Sequence, residues 1–519
     1  MRTLLVAMFV LAPLSALAEP HAHGEHDHGP TDLGNIGKAR LETSCADAAR
    51  AEIDRGVTLM HSFWYGEAET AFRNAAAADA ACGMAWWGVA MSNLHPIWAP
   101  PTPAELATGA EAVEKAKSAG TKTARETAYV DAIGAFYAKA GELDHGKRMA
   151  AYERAMADLA RSHPDDREAG IFHALALLGT ADAKDKTYAK QKQAAEILNR
   201  LLPLEPEHPG VAHYLIHSFD YPELAALALP AARVYAKLAP GSPHALHMPS
   251  HIFVRLGLWE ESIASNLASK DKADAYVARV KPGAAAFDAL HAVDYLVYAY
   301  LQQGKDDEAR KLVEVTAAVA TLDVPNQFAA AYAIGAVPAR YTLERGRWDE
   351  AAALAVPKNV AWEKVPYAEA NIHFARGVGG ARAGKLDVAR DAERRLAAIR
   401  QALLDQKNAY WADQVEIQRL CVAARIAAAE KKSDQALDTM RAAAAMEAGT
   451  EKHPVTPGAI VPAREMLAEL LLENGRGEEA AAEAEQVLRS APNRRAAMQL
   501  AARAKIENGA KGGTGAAAD

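Results

Sequence analysis

The sequence predicts an all-α fold, an α-solenoid, on three observations. Apolar residues make up 50% of the 519 residues but aromatic ones only 7%, which describes a core of alanine and leucine suited to close-packed helices. From about residue 40 onward, apolar residues recur with helical spacing in stretches broken by short Gly, Pro or Asp turns, and no alternating segment marks a strand. Finally, a turn glycine or a substitute is followed five residues later by a small residue, at Gly257/Ser262, Gly304/Ala309, Gly346/Ala351, Gly384/Ala389, Lys431/Ala436 and Gly475/Ala480. The small residues are spaced 47, 42, 38, 47 and 44 apart, a period that means two helices per unit stacked in series.

In chain order, the first segment is an address. Arg2, the apolar run Leu4 to Ala12, and Ala16-Leu17-Ala18 before Glu19-Pro20 have the make-up of a signal peptide over residues 1–18, cleaved after Ala18. The expected destination is outside the cytoplasm, in the periplasm if the source is a Gram-negative bacterium. Residues 19–40 are expected to be a disordered tail and linker, since they show no apolar period. His21, His23, His26 and His28, interleaved with Glu25 and Asp27, make that tail a low-specificity ligand set for Zn, Cu or Ni. The solenoid is expected over residues 41–505, followed by a flexible tail over residues 506–519.

Three cysteines occur. In an oxidising compartment Cys45 and Cys82 are the expected disulfide pair and Cys421 the odd one out; the alternative is two small hydrophobes packed between helices. With 58 basic against 66 acidic residues, a net charge of −8 and no Lys/Arg stripe, nucleic acid is not an expected partner. Beyond the N-terminus no apolar run reaches the ~18 residues of a spanning helix, and the mean hydropathy is −0.15.

These residues resemble the tetratricopeptide repeat. In the last unit Ala468, Gly475, Ala480 and Pro492 fall at the small-residue, turn, second-helix and terminal-proline positions of that motif, and Gly56, Ala68 and Phe72 repeat part of the register, with Phe63 at the usual turn glycine. The chain is also similar to exported bacterial tetratricopeptide proteins carrying the segments seen here at Cys82 to Gly88 and at His244 to Phe253, the latter reading His-Ala-Leu-His-Met-Pro-Ser-His-Ile-Phe. The resemblance implies helix-turn-helix repeats over about residues 40 to 505 and implies no particular activity.

The histidines carry the functional expectation. At offsets of −13, −10 and −6 from Gly257 stand His244, His247 and His251; the same offsets from Gly304 give His291, Asp294 and Tyr298. Spacings of three and four place each set on one face of the first helix of its unit, the face that lines the groove in proteins of the resembled fold. Thirty-four residues before His247 and His251 lie His213 and His217. Elsewhere the offsets give no histidine: Ala333, Ala336 and Arg340 precede Gly346, and Asn371, Phe374 and Val378 precede Gly384.

Helices packed about 8–10 Å apart let imidazoles from neighbouring units converge on an ion, in one four-ligand site or in two sites sharing the groove. His213, His217, His244, His247, His251, His291 and Asp294 are therefore the candidate ligands for a transition metal, Zn or Cu by ligand type, with Asp294 either a ligand or a carboxylate orienting one. Tyr214, Tyr298, Arg255, Asp220 and Glu223 lie close to the set in sequence. Lone histidines such as His61, His208 and His453 are expected to be polar core or turn residues. No phosphate loop, nucleophile elbow, His-Glu-x-x-His helix or Cys-x-x-Cys is present, so no enzyme class is assigned. The leading expectation is metal binding or delivery. The alternatives are a scaffold holding a protein or peptide segment in its groove and, third, a metal-dependent enzyme.

Overall fold

Turn stereochemistry sets the repeat. In the computed structural model Gly257, Gly304, Gly346, Gly384 and Gly475 all take φ between 61 and 74°, the left-handed region that costs other residues roughly 1 kcal/mol. Lys431 takes φ 63° and Phe63 φ 55° in the same role without the glycine. Two residues after each turn a second helix begins, as in Trp259–Val280 after Gly257, Asp306–Ala317 after Gly304 and Tyr65–Ala78 after Phe63. The six small residues of the repeat are at most 1% exposed, because neighbouring first helices, including that of the following unit, pack against them. Gly379, on the first helix Pro366–Arg382, comes so near Ala351 that an added methyl would lie 2.6 Å from the alanine side chain.

The structure describes residues 32–515 apart from 98, 325 and 326, with side chains through 507. The expected signal peptide and His21, His23, His26 and His28 lie outside these residues. Among the described residues there is no strand, only one isolated bridge between Ala285 and Leu322. The chain is an all-α solenoid of helix-turn-helix units, and the described residues from 35 onward form one compact unit. The last helix, Arg495–Gly515, continues past residue 505.

Cys45 and Cys82 are joined, their Cα atoms 5.0 Å apart, tying the chain just before the first helix, Asp47–His61, to the start of the third, Gly83–Ser92. Cys421 is buried and unbridged. The segment after Cys82 is a packing device. Trp87 stands edge-on to Phe72, Tyr129 and Phe172, with ring centroids 5.3 to 6.2 Å apart, and Gly88 lets Phe72 press against its backbone.

Contacts also join parts of the chain that are far apart in sequence. Residues 492–495 pack on the turns at Gly257 and Gly304: Trp259 Nε1 donates to the Asn493 carbonyl at 3.2 Å and the Arg495 amide donates to Gln302 at 3.0 Å. Arg494, fully buried, binds Glu465 and Glu344 at 2.6 Å each and lies over the Tyr298 ring. On another side Lys186 reaches Glu451 at 2.6 Å and Lys184 reaches Asp413 at 2.9 Å.

A methyl at position 88 would fall 2.1 Å from the Phe72 ring, so Gly88→Ala is expected to cost about 1–3 kcal/mol by overpacking. A thermal melt unchanged from that of the parent would contradict it. Removing the bridge with Cys45→Ser and Cys82→Ser is expected to cost about 2–4 kcal/mol, read from denaturant unfolding of oxidised protein.

Candidate metal centre

Three helical segments supply the histidines. Pro209 begins the helix Pro209–Phe219, which carries His213 and His217 one turn apart. Ser242 caps the next segment by accepting from the Ala245 amide, and the helix runs through Pro243–His247 and then Pro249–Arg255. Pro249 lacks an amide hydrogen and interrupts the bond ladder, but Met248 keeps helical angles, so His244, His247 and His251 stay on one side. His291 comes from Phe287–Gln303.

The six imidazoles form two trios, His213/His217/His244 and His247/His251/His291, in each of which the three ligand nitrogens lie within 4.8 Å of one another. His213 Nε2 is 3.1 Å from His217 Nε2 and 3.0 Å from His244 Nε2, and His247 Nε2 is 3.0 Å from His251 Nε2. The edge of a tetrahedron around zinc bound by nitrogen at ~2.0–2.1 Å is ~3.3 Å, a few tenths of an ångström longer than these three separations.

The outward nitrogens decide the proton positions. His213 Nδ1 lies 2.7 Å from the His61 carbonyl, which can only accept; His251 Nδ1 lies 2.9 Å from the Asp220 carboxylate. His247 Nδ1 is 2.6 Å from Asn266 Oδ1, and that amide is oriented because its Nδ2 donates to the Ser262 carbonyl. Each of these three rings therefore carries its proton on Nδ1 and turns an Nε2 lone pair inward. In the second trio, two lone pairs face each other at 3.0 Å.

Burial keeps these rings neutral. All six histidines are 0–7% exposed. Desolvation pushes the His213 pKa down to about 3 and holds His217, His244, His247 and His291 well below the usual imidazole value; His251 is lowered as well, against the opposing pull of Asp220. Asp220 stays ionised: burial opposes it, but Lys452 at 3.1 Å and Arg255 at 2.8 Å hold its pKa well below the usual carboxylate range.

The site differs from an open groove, and the reason is a segment that the repeat pattern does not include. Residues 449–462, between the helices Ser433–Ala448 and Ala463–Glu473, lie over the histidines. Lys452 binds Asp220, and Tyr295 donates to the carbonyls of Pro454 and Thr456. Asp294 belongs to neither trio. Its carboxylate is 3.1 Å from Arg340, which also donates to the carbonyls of Ala459 and Gly458. The expected ligand thus serves to anchor this segment.

Of the neighbours noted in the sequence, Asp220 and Arg255 support His251, Glu223 accepts from Tyr188, and Tyr298 lies between Arg340 and Arg494. Tyr214 bonds His61 at 2.9 Å, and His61 and His208 share Glu168 at 2.9 and 2.8 Å. That buried network fixes the His61 carbonyl on which His213 is oriented. Tyr295, 3.3 Å from His251 Nε2 and one turn beyond His291, was visible in sequence only through that spacing.

The sequence matches no protein-family model and no curated protein. Among solved structures it is similar to the APC/C hetero-tetramer Cut9-Hcn1, at 13% identity over 91% of this chain and 79% of that chain, with a TM-score of 0.40. It is similar to human IFIT1, a dimer with m7Gppp-AAAA, at 12% identity over 82% of this chain and 89% of that one, TM-score 0.35. A third is the P58(IPK) TPR domain, at 12% identity over 90% and 99%, TM-score 0.22.

The buried imidazoles set a pH dependence. Their folded pKa values lie below the unfolded value of about 6.5, so below that pH the unfolded chain binds protons that the folded chain refuses. Stability is then fully present above about pH 6.5 and is lost as pH falls toward the folded values, by about 1.4 kcal/mol per pH unit for each histidine that stays neutral. Denaturant unfolding of metal-free protein should give a much lower stability at pH 5 than at pH 7.5; equal values would contradict the neutral assignment.

Proposed function

We propose that the chain holds a transition metal through its six buried histidines. The observation that carries this is the pair His247 and His251: both rings are locked as Nδ1–H donors, so two lone pairs meet at 3.0 Å in a desolvated site. A cation between them turns that repulsion into ligation. Enclosure beneath residues 449–462 favours tight retention, with any hand-off requiring that segment to move. The expected tail histidines would act as a capture arm, and export to an oxidising compartment agrees with the Cys45–Cys82 bridge.

A second reading, an interaction scaffold, is favoured by the solenoid itself and by a cavity of about 330 Å³ beside residues 449–462. Tyr332, Tyr367, Tyr410 and Trp411 line it, together with Lys452 and Arg255 from the surround of the histidines. Such a lining suits an apolar side chain of a peptide partner.

The test uses the full chain carrying His21→Ser, His23→Ser, His26→Ser and His28→Ser, so that only the interior is read. After loading with Zn²⁺ or copper and dialysis, metal is expected to remain bound and to raise the melting temperature. His247→Ala with His251→Ala should weaken retention by roughly 100-fold or more, because too few ligands remain for that site. Absence of retained metal from the parent, with capture of a defined peptide abolished by Trp411→Ala, would establish the scaffold instead.

A further inference from the structure

The two trios are not separate compartments. The rings of His217 and His251, one from each trio, have centroids 6.2 Å apart, and those of His244 and His247 are 6.3 Å apart. Within the second trio His251 and His291 are 6.4 Å apart. The nearest rings of different trios are thus as close as the most separated rings of one trio, and two metals that come ~3.5–4 Å apart act as one centre.

The charges restrict which ions fit. Six neutral imidazoles supply no negative charge. The nearest carboxylates are already committed, Asp220 to Arg255 and Lys452 and Asp294 to Arg340. Two divalent ions would leave four positive charges in a buried site beside those cations, a large desolvation cost. Monovalent copper halves that charge, and imidazole suits copper. Zinc would want a fourth ligand for a closed tetrahedron, and each trio provides three.

We propose that the trios hold two cuprous ions as a single dinuclear copper centre whose vacant positions take one dioxygen molecule between the metals. The step balances without another reactant. Each copper gives one electron, both become cupric, and dioxygen accepts the two electrons as a bridging peroxide. The two added positive charges are matched by the two negative charges of the peroxide, so the site's total charge is unchanged. No proton moves, in keeping with rings whose outward nitrogens are engaged by a carbonyl, an amide oxygen and a carboxylate.

This inference rests on the proposed metal binding, and its test separates the two. The full chain with the four tail histidines replaced by Ser is loaded with cuprous copper without oxygen, washed with a chelator, assayed for copper and then exposed to dioxygen. Two tightly held coppers per chain, with a new absorption on oxygenation and copper that gives almost none of the paramagnetic resonance of isolated cupric ions, are expected. His217→Ala, with helical circular dichroism checked against the parent, should retain about one copper and give the ordinary isolated cupric signal after oxidation. One copper per parent chain, or two whose resonance accounts for all the cupric copper as isolated ions, overturns the dinuclear centre while metal binding stands. Failure to retain any of copper, zinc or cobalt overturns both.

Discussion

The Arg340 guanidinium is fully buried, and its donors are spent on the Asp294 carboxylate and on the carbonyls of Gly458 and Ala459. One planar group therefore joins two successive first helices to a segment more than a hundred residues further along the chain. Isolated, either charge would be intolerable in this interior; together they make the position of residues 449–462 obligatory. Those residues then exclude water from the histidines. The neutrality of the imidazoles, the direction of their lone pairs and the low charge the site can accept all depend on that exclusion.

Much of this was legible in the sequence, for a physical reason: local stereochemistry repeats. The left-handed turns at Gly257, Gly304, Gly346, Gly384, Lys431 and Gly475 are the positions identified by the five-residue spacing. Even Phe63, standing where a glycine is usual, keeps the conformation the register demands. The grouping of His213, His217, His244, His247, His251 and His291 also followed from spacing, since stacked units bring equivalent faces together.

What the pattern did not contain was the covering segment. His453-Pro-Val-Thr-Pro-Gly458 has no apolar period, and in sequence His453 stands alone. Asp294 lies on the face that its offset from Gly304 indicates, but it meets Arg340, which stands in the next unit one turn further along its helix than the equivalent position, and nothing local announces that pairing. The Glu168 network was hidden for the same reason: His61, Glu168 and His208 come from segments that only tertiary packing brings together.

The contacts of residues 492–495 with the turns at Gly257 and Gly304, and of Lys184 and Lys186 with Asp413 and Glu451, bear on how the chain folds. In an open array each repeat touches only its neighbours, stability is close to a sum over repeats, and the ends can fray while the middle persists. Here the far end is fastened to the middle across about two hundred residues. Unravelling from the C-terminus must therefore strip Arg494 from Glu344 and Glu465 and expose the unit that carries His291. The array should behave as one cooperative block, slow to assemble because its decisive contacts are distant in sequence, and shortening it by whole repeats should not yield smaller folded proteins.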